Sequence, residues 1–214
     1  MRPLRSAGNV LVAAIVALLI GAWLLAPPAA RADAFTDGAR TYVRAMLDDG
    51  IKTLTPRELT DAERRQRLHD FIGRNVDLSG VAKAVLGRYW DPATPVQRQE
   101  FTDLFEQYLI LSYVNSLQTY TGETFNFLNT ADSGHGLAVV QLQILEQGEA
   151  PTRLDIDVRQ AAGGRYQVVD MAVDGVSIIT AKRSEFGAVL RQSGGIDRLN
   201  EILRKKNATL GGTN

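Results

Sequence analysis

The chain has 214 residues, of which 45% are hydrophobic and 22% charged, and its formal net charge is zero. These values are ordinary for one globular domain, and no run of a single charge sign indicates a nucleic-acid-binding arm. The chain has no cysteine, which excludes disulfides, thiolate metal sites and a cysteine nucleophile. Its two histidines, His69 and His135, lie far apart in sequence, so no histidine-rich metal site is expected. No cofactor is expected either.

The first 32 residues have the pattern of a cleaved export signal. Arg2 and Arg5 precede an apolar run over residues 10–26, and an Ala-Arg-Ala motif follows at residues 30–32. We predict cleavage after Ala32, while the apolar run, about 17 residues long, also reaches the lower limit for an uncleaved membrane anchor. Cleavage removes three basic residues and no acidic one, leaving a net charge of −3. The sequence therefore predicts a mildly acidic, exported, soluble protein.

Helical periodicity follows the signal. Apolar residues at helical spacing predict an amphipathic helix over Asp33–Leu54. A capping box formed by Thr60 and Glu63 begins a second helix, and Asp77 is placed to cap a short third helix that ends at Leu86. The buried stripe of the second helix is expected to contain Leu68, Phe71, Ile72 and Val76. Because the linkers are short, we expect one domain over residues 33–206, followed by a frayed tail over residues 207–214.

A long central helix is predicted next. Thr94 suits the N-cap, Pro95 the first helical position, and Gln97 completes a second capping box. From Tyr108 to Val114 the helix is apolar nearly all the way round, which a surface helix would not be. The helix is therefore expected to have apolar surroundings on more than one side. This pattern fits both a core helix and a helix that lines a cavity for an apolar ligand.

From Thr124 the apolar period changes from 3.6 to 2, which predicts about five antiparallel strands. Asp174-Gly175 is a two-residue hairpin signal. The strands are expected at residues 124–129, 138–144, 153–159, 166–173 and 176–180, with a loop over residues 130–136. Two further helices should follow, the first ending at Gly194-Gly195. The predicted fold class is α+β, with the helices covering the apolar face of the sheet.

Catalytic signals are few. The chain has no G-x-S-x-G, H-E-x-x-H, P-loop or G-x-G-x-x-G motif. His135 lies among turn-forming residues. Asp155 and Asp157 share one face of a strand with two arginines and are interpreted as a solvated face. Asp170 interrupts an apolar strand, and it could be either an acid–base group or an acceptor for backbone donors at the strand end, of which we favour the second.

Three blocks carry a family resemblance. They are LGRYW with TPxQRxEF over residues 86–101, Tyr113 to Tyr120-x-Gly122-Glu123, and DMxVDGVS with RSEF and GGIxxL over residues 170–199. In this order and spacing they resemble the MlaC family, the periplasmic phospholipid carriers of the Mla pathway, also called the toluene-tolerance auxiliary family. The resemblance covers residues 35–206, almost all of the exported chain.

The resemblance implies a curved antiparallel sheet under a helical cover, with a deep apolar pocket between them for the acyl chains of a phospholipid. Such a protein is a monomer that catalyses no reaction. It shuttles lipid across the periplasm between an inner-membrane ABC transporter complex and an outer-membrane lipoprotein–porin complex, and so maintains outer-membrane asymmetry. One branch of the family is associated with hopanoid biosynthesis, and the sequence leaves the branch open.

The pocket residues are predicted by combining this expectation with the apolar patterns of the central helix and the strands. Plain core packing explains the same patterns, and Val158→Trp is the substitution expected to fill such a pocket. The predicted lining residues are Leu86, Phe101, Phe105, Leu109, Tyr113, Phe125, Phe127, Val140, Leu142, Leu154, Ile156, Val158, Val169, Met171, Val173 and Ile178. Two other hypotheses stay open: a cone-shaped α+β enzyme that uses Asp170 and Tyr113, and an exported structural domain with a solid core.

Overall fold

The computed structural model describes residues 28–192 and 194–212, and it has the predicted α+β fold, with six α-helices and five strands in the described chain. The predicted signal segment before Pro28 lies outside the described residues. No helix of the described chain is long and apolar enough to span a membrane. The helices are α1 (Pro28–Leu54), α2 (Asp61–Asn75), α3 (Leu78–Leu86), α4 (Pro95–Gln118), α5 (Ile178–Leu190) and α6 (Gly195–Gly211). The strands are β1 (Thr124–Gly134), β2 (Leu137–Leu145), β3 (Thr152–Gln160), β4 (Tyr166–Val173) and β5 (Val176–Ser177).

The predicted helix caps are present. Thr60 and Glu63 exchange hydrogen bonds at the start of α2, and Thr94 and Gln97 do the same at the start of α4. Asp77 accepts a hydrogen bond from the Gly80 backbone N–H and caps α3. Each of these caps satisfies backbone donors that the first helical turn leaves unpaired.

The sheet is an antiparallel meander in the order β1-β2-β3-β4-β5. Asp174 and Gly175 form the predicted turn between β4 and β5, both with positive φ (47° and 81°), as a type I′ hairpin requires. The loop expected over residues 130–136 is wrong, because β1 continues to Gly134 and only two residues separate it from β2. Polar side chains in this part of β1 are exposed on an edge strand, and such a strand resembles a loop in sequence.

Three other boundaries differ from the predictions. Only Val176 and Ser177 pair with β4, so the strand expected over residues 176–180 is wrong, and α5 begins at Ile178. Helix α1 begins at Pro28, five residues before the predicted start. Helix α6 extends to Gly211, so the expected fraying is wrong for residues 208–211. The end of α6 is held because buried Asn207 donates a hydrogen bond to the Leu104 carbonyl, 2.9 Å away.

Helix α1 covers the apolar face of the sheet directly. Ala39 and Val43 are fully buried, and with Met46 they form one cluster with the inward side chains of β2 and β3. Tyr166 fixes the start of this contact, since its hydroxyl donates to the Phe35 carbonyl at 2.9 Å. Gly38 permits the close approach, because a Cβ there would lie 2.5 Å from the Tyr166 hydroxyl. The centre of the sheet is therefore filled by side chains of a helix.

Helix α4 organises a second core with α3, α5 and α6. Phe101 and Phe105 are stacked with ring centroids 5.6 Å apart, and Phe186 of α5 meets both of them edge-on. Leu199 and Leu203 of α6 are fully buried in the same cluster. The face of α4 that carries both phenylalanines thus packs against the C-terminal helices.

A buried arginine holds the link between α1 and α2. Arg64 is 2% exposed, and its guanidinium donates to the carbonyls of Leu54 and Pro56, the second at 3.0 Å. These carbonyls lie where α1 has ended and cannot be paired within that helix. Arg64 therefore supplies donors for the end of one helix from the first turns of the next.

We predict that Arg64→Leu lowers the free energy of unfolding by about 2–3 kcal/mol, because it leaves the buried Leu54 carbonyl unpaired. Urea unfolding followed by circular dichroism measures the change. Arg67→Gln is the matched control, since Arg67 also donates to a backbone carbonyl (Thr53, 3.1 Å) but is exposed. Equal effects of the two substitutions would contradict the structural role of Arg64.

Candidate functional site: an apolar cavity beside the fourth strand

A cavity of about 240 Å³ lies between α2, α4 and the first turn of α5, with β4 on one side. Its lining is apolar apart from the Asp170 carboxylate and the Tyr113 hydroxyl. The lining residues are Met46, Leu68, Phe71, Ile72, Val76, Val81, Val85, Phe105, Leu109, Tyr113, Val168, Val169, Asp170, Met171, Ile178 and Ile179.

Six of the predicted pocket residues line this cavity: Phe105, Leu109, Tyr113, Val169, Met171 and Ile178. Phe105, Leu109 and Tyr113 succeed one another at intervals of four along α4, so they form one stripe of that helix. Phe105 also belongs to the core that α4 shares with α5 and α6, so the stripe adjoins that core at one end and reaches the exposed Tyr113 at the other. The amphipathic pattern of α4 therefore corresponds to two different environments, a solid core and a cavity wall.

The other ten predicted residues do not line the cavity. Leu86 and Phe101 are buried in the core that α4 shares with α3, α5 and α6. Val173 is 41% exposed near the β4–β5 turn. Seven lie in the core between the sheet and α1: Phe125, Phe127, Val140, Leu142, Leu154, Ile156 and Val158. Alternation gives a strand an apolar face, and it does not tell whether a helix or a ligand covers that face.

Most of the missed lining residues come from α1, α2 and α3. Leu68, Phe71, Ile72 and Val76 form the predicted apolar stripe of α2 and the residue that follows it, and this stripe turns towards the cavity. Nothing in the helical period separates such a stripe from an ordinary core-facing one. The place of α2 beside α4 is a long-range contact of the folded chain, and no local signal in the sequence indicates it.

A β-bulge in β4 shapes the cavity wall. Asp157 pairs with Asp170 and Val158 pairs with Val168, which leaves Val169 between them without a partner on β3. A bulge bends its strand and redirects the side chains around it. Val168, Val169 and Met171 consequently all line the cavity, although strict alternation would send neighbours to opposite faces.

Asp170 links this bulge to the start of α5. Its carboxylate accepts hydrogen bonds from the backbone N–H groups of Met171 (2.8 Å) and Ile179 (3.2 Å) and from the Ser177 hydroxyl. Ser177 in turn caps α5 by accepting from the Thr180 N–H at 3.0 Å. These contacts are those of the favoured structural interpretation of Asp170, and they position Ile178 and Ile179 in the cavity wall.

Asp157 faces Asp170 from the next strand. Burial raises the pKa of the Asp157 carboxyl above its ordinary value, and the neighbouring charges of Asp170 and Asp155 raise it further. The charge of Asp155 is itself balanced by Arg153, which lies 2.9 Å away. Ionisation of the Asp157 carboxyl therefore destabilises the folded protein.

The cavity reaches solvent beside two exposed apolar side chains. Tyr113 is 46% exposed and Met171 36%, and both line the cavity. Val173 and Val176, which flank the nearby β4–β5 turn, are also exposed. Apolar surface thus continues from the interior to the rim. Among the described residues, no group of three or more His, Cys, Asp or Glu side chains could hold a metal ion.

We predict that Asp170→Ala lowers the free energy of unfolding by about 1–2 kcal/mol, the usual cost of removing a helix cap. Thermal and urea unfolding measure it. Asp132→Ala is the control, because Asp132 also accepts from a backbone N–H (Gly134, 2.7 Å) but is exposed at the end of β1. An Asp170→Ala protein as stable as this control would exclude the capping role.

A second prediction concerns pH. A carboxyl whose pKa is raised by folding contributes stability below its unfolded pKa, here 3.8, and this contribution is lost as the pH rises through the folded pKa. Asp157→Asn should therefore raise the melting temperature relative to the original chain at pH 7, and by less near pH 4. Asp48→Asn, on the exposed part of α1, is the control. A gain that does not depend on pH would refute this assignment.

Comparisons with known proteins place this geometry in context. The family model described as MlaC protein matches residues 44–205. The toluene tolerance protein ttg2D of Pseudomonas putida is 26% identical over 129 residues, which span 59% of this chain and 59% of that protein. The crystal structure of the phospholipid-binding protein from Ralstonia solanacearum, in complex with a phospholipid, has a TM-score of 0.72 at 25% identity. That match covers 81% of this chain and 98% of the Ralstonia chain.

Proposed function

Because this chain belongs to the MlaC family, we propose that it is a periplasmic carrier that encloses the acyl chains of a phospholipid in the cavity beside β4. The observation that supports this most strongly is the cavity itself, whose lining is apolar and continues to an exposed apolar rim at Tyr113 and Met171. The Ralstonia solanacearum protein, which has the same fold, was crystallised in complex with a phospholipid.

Burial of the chains is the energetic requirement of such a carrier. Two acyl chains hold roughly 30 methylene groups at about 0.8 kcal/mol each, so their exposure to water costs on the order of 20 kcal/mol. The cavity of about 240 Å³ is smaller than the roughly 300–1,000 Å³ of typical ligand sites. Two chains therefore need a wider cavity than the one described, which separation of the helices around it would supply.

The direction of transfer would be set by partners. We propose that the protein receives and delivers lipid at an inner-membrane ABC transporter complex and an outer-membrane lipoprotein–porin complex, which maintains the asymmetry of the outer membrane. The export signal predicted over residues 1–32 supports the periplasmic location. A hopanoid could occupy the same apolar lining, and identification of the bound lipid separates this branch from the phospholipid carriers.

Family membership and the contacts of Asp170 both argue against the hypothesis of an enzyme that uses Asp170. The MlaC family is a non-enzymatic family of lipid-binding carriers, and membership confirms the prediction that the chain is not an enzyme. The Asp170 carboxylate is occupied by two backbone N–H groups and a hydroxyl. These bonds hold the carboxylate against α5 rather than leaving it available to a substrate.

The proposal is tested by native mass spectrometry of the purified mature protein, followed by lipid extraction and identification. We expect bound phospholipid at a defined stoichiometry. Removal of the lipid should lower the melting temperature, because a ligand present at 100 times its Kd stabilises a protein by about 2.7 kcal/mol. A protein that contains no lipid and takes none up from liposomes would refute the carrier function.

A cavity-filling variant tests the location of the chains. Leu109→Trp, on the cavity stripe of α4, should reduce the bound lipid several-fold while the protein stays folded. Val96→Trp is the control on the same helix, since Val96 is 77% exposed. The substitution suggested by the sequence, Val158→Trp, is unsuitable because Val158 is fully buried beside α1 and a larger side chain would disrupt the core. Unchanged lipid content in Leu109→Trp would place the chains elsewhere.

A further inference from the structure

Helices α4 and α5 meet along one face, and the contacts along it are aromatic at one end, polar in the middle and part of the cavity lining at the other end. Phe186 packs edge-on against Phe105 in the aromatic core, with ring centroids 6.0 Å apart. Lys182, one turn earlier in α5, reaches Tyr108 of α4. Ile178, another turn earlier, lines the cavity. Residues at this spacing share one side of a helix, so Lys182 lies between the aromatic core and the cavity.

The part of α4 that faces Lys182 also carries polar side chains. The Lys182 ammonium donates to the Tyr108 hydroxyl at 2.9 Å, and the Ser112 hydroxyl also hydrogen-bonds to Tyr108. Tyr108 and Ser112 are one turn apart and directly precede Leu109 and Tyr113, which line the cavity. Two hydroxyls and one ammonium therefore lie where α4 faces α5, next to residues of the lining or one helical turn from them along their helices, although none of the three lines the cavity itself.

A second ammonium comes from α6. The nitrogens of Lys182 and Lys206 lie 4.8 Å and 4.7 Å from the centre of the Tyr108 ring. Glu185 accepts from both, at 2.8 Å from Lys182 and 3.1 Å from Lys206. Two ammonium groups and one carboxylate leave an excess of one positive charge. Each ammonium has three donors, so those used on Tyr108 and Glu185 do not exhaust either lysine among the described contacts.

Both lysines are charged near neutral pH. Burial lowers the pKa of the Lys182 ammonium, but its hydrogen bonds to Glu185 and Tyr108 outweigh this and raise the pKa overall. The same balance raises the pKa of Lys206. Lys182 has a side chain only 16% exposed, so its charge is weakly screened by solvent. A weakly screened ammonium with an unused donor is suited to an oxyanion.

We propose that Tyr108, Ser112, Lys182 and Lys206 form a binding site for the phosphate of the carried lipid, at the edge of the cavity between α4 and α5. This inference rests on the proposed carrier function, which places the acyl chains in the adjoining cavity. The phosphodiester carries one negative charge, which matches the excess positive charge of the site. Asp170 borders another part of the cavity and disfavours the phosphate there. Glu185, 43% exposed, competes with the phosphate for both lysines.

The test compares two lipids that share their acyl chains and differ in the phosphate. Delipidated mature protein is mixed with non-ionic detergent micelles that contain equal amounts of phosphatidylglycerol and diacylglycerol, and native mass spectrometry measures the ratio bound. The original chain should prefer phosphatidylglycerol by about tenfold or more, because hydrogen bonds between an ammonium and a phosphate are stronger than those between neutral groups. Lys182→Gln combined with Lys206→Gln should remove most of this preference, whereas Glu185→Gln should increase it.

Matched variants separate charge from packing. Lys205→Gln removes the same charge one residue away, on a side chain that is 72% exposed and paired with Glu201, and should leave the ratio unchanged. Lys182→Arg keeps the charge and should keep most of the preference. Melting temperatures of all variants establish that they are folded. Equal binding of the two lipids by the original chain, or an unchanged preference in the double variant, would overturn the phosphate site while leaving the carrier function intact.

Two further results separate the phosphate site from the carrier function and the lipid head group from a soluble phosphate ester. If neither lipid binds, the carrier function itself is refuted, and the phosphate site with it. If millimolar glycerol 3-phosphate abolishes the preference for phosphatidylglycerol, the site takes soluble phosphate esters without the acyl chains, which overturns its assignment to the lipid head group. A preference that persists in glycerol 3-phosphate supports that assignment.

Discussion

The packing of α1 against the sheet determines where this protein can hold a ligand. The inward side chains of β2 and β3 are almost completely buried, and α1 fills the space above them down to the contact between Gly38 and Tyr166. Interiors at this density have no room for an acyl chain. The cavity is consequently displaced to β4, where the bulge at Val169 bends the strand away from regular pairing.

At β4 the sheet and the helices are joined by polar contacts. Asp170 connects the bulge to the first turn of α5, and Lys182 connects α5 to Tyr108 of α4. Asp170 is the charged group of the otherwise apolar lining, and Lys182 lies at its margin, one turn beyond Ile178. Polar groups at such a margin can hold the wall in place and contact a polar head group, while the interior stays free of unpaired donors and acceptors.

The local capping and turn signals were predicted correctly from the sequence, and the long-range packing around the cavity was not. The capping boxes at Thr60 and Thr94 and the Asp174-Gly175 turn were predicted because their chemistry lies within four residues. Ile178-Ile179-Thr180 was assigned to a strand because it follows the Asp174-Gly175 hairpin signal, but the caps supplied by Ser177 and Asp170 place it in a helix. The cavity stripe of α4 was partly predicted. The wall from α2 was missed, since an apolar stripe looks alike whether a side chain or a cavity faces it.

The cavity lining is drawn from Met46 in the first helix to Ile179 near the start of the fifth, with contributions from α2, α3, α4 and β4 in between. Contacts between residues so distant in sequence form late in folding, because they require closure of long loops. No segment of the chain can build the cavity alone. The chain therefore acquires a place for a ligand only as folding is completed, and local opening at α5 would remove Ile178 and Ile179 from the cavity wall.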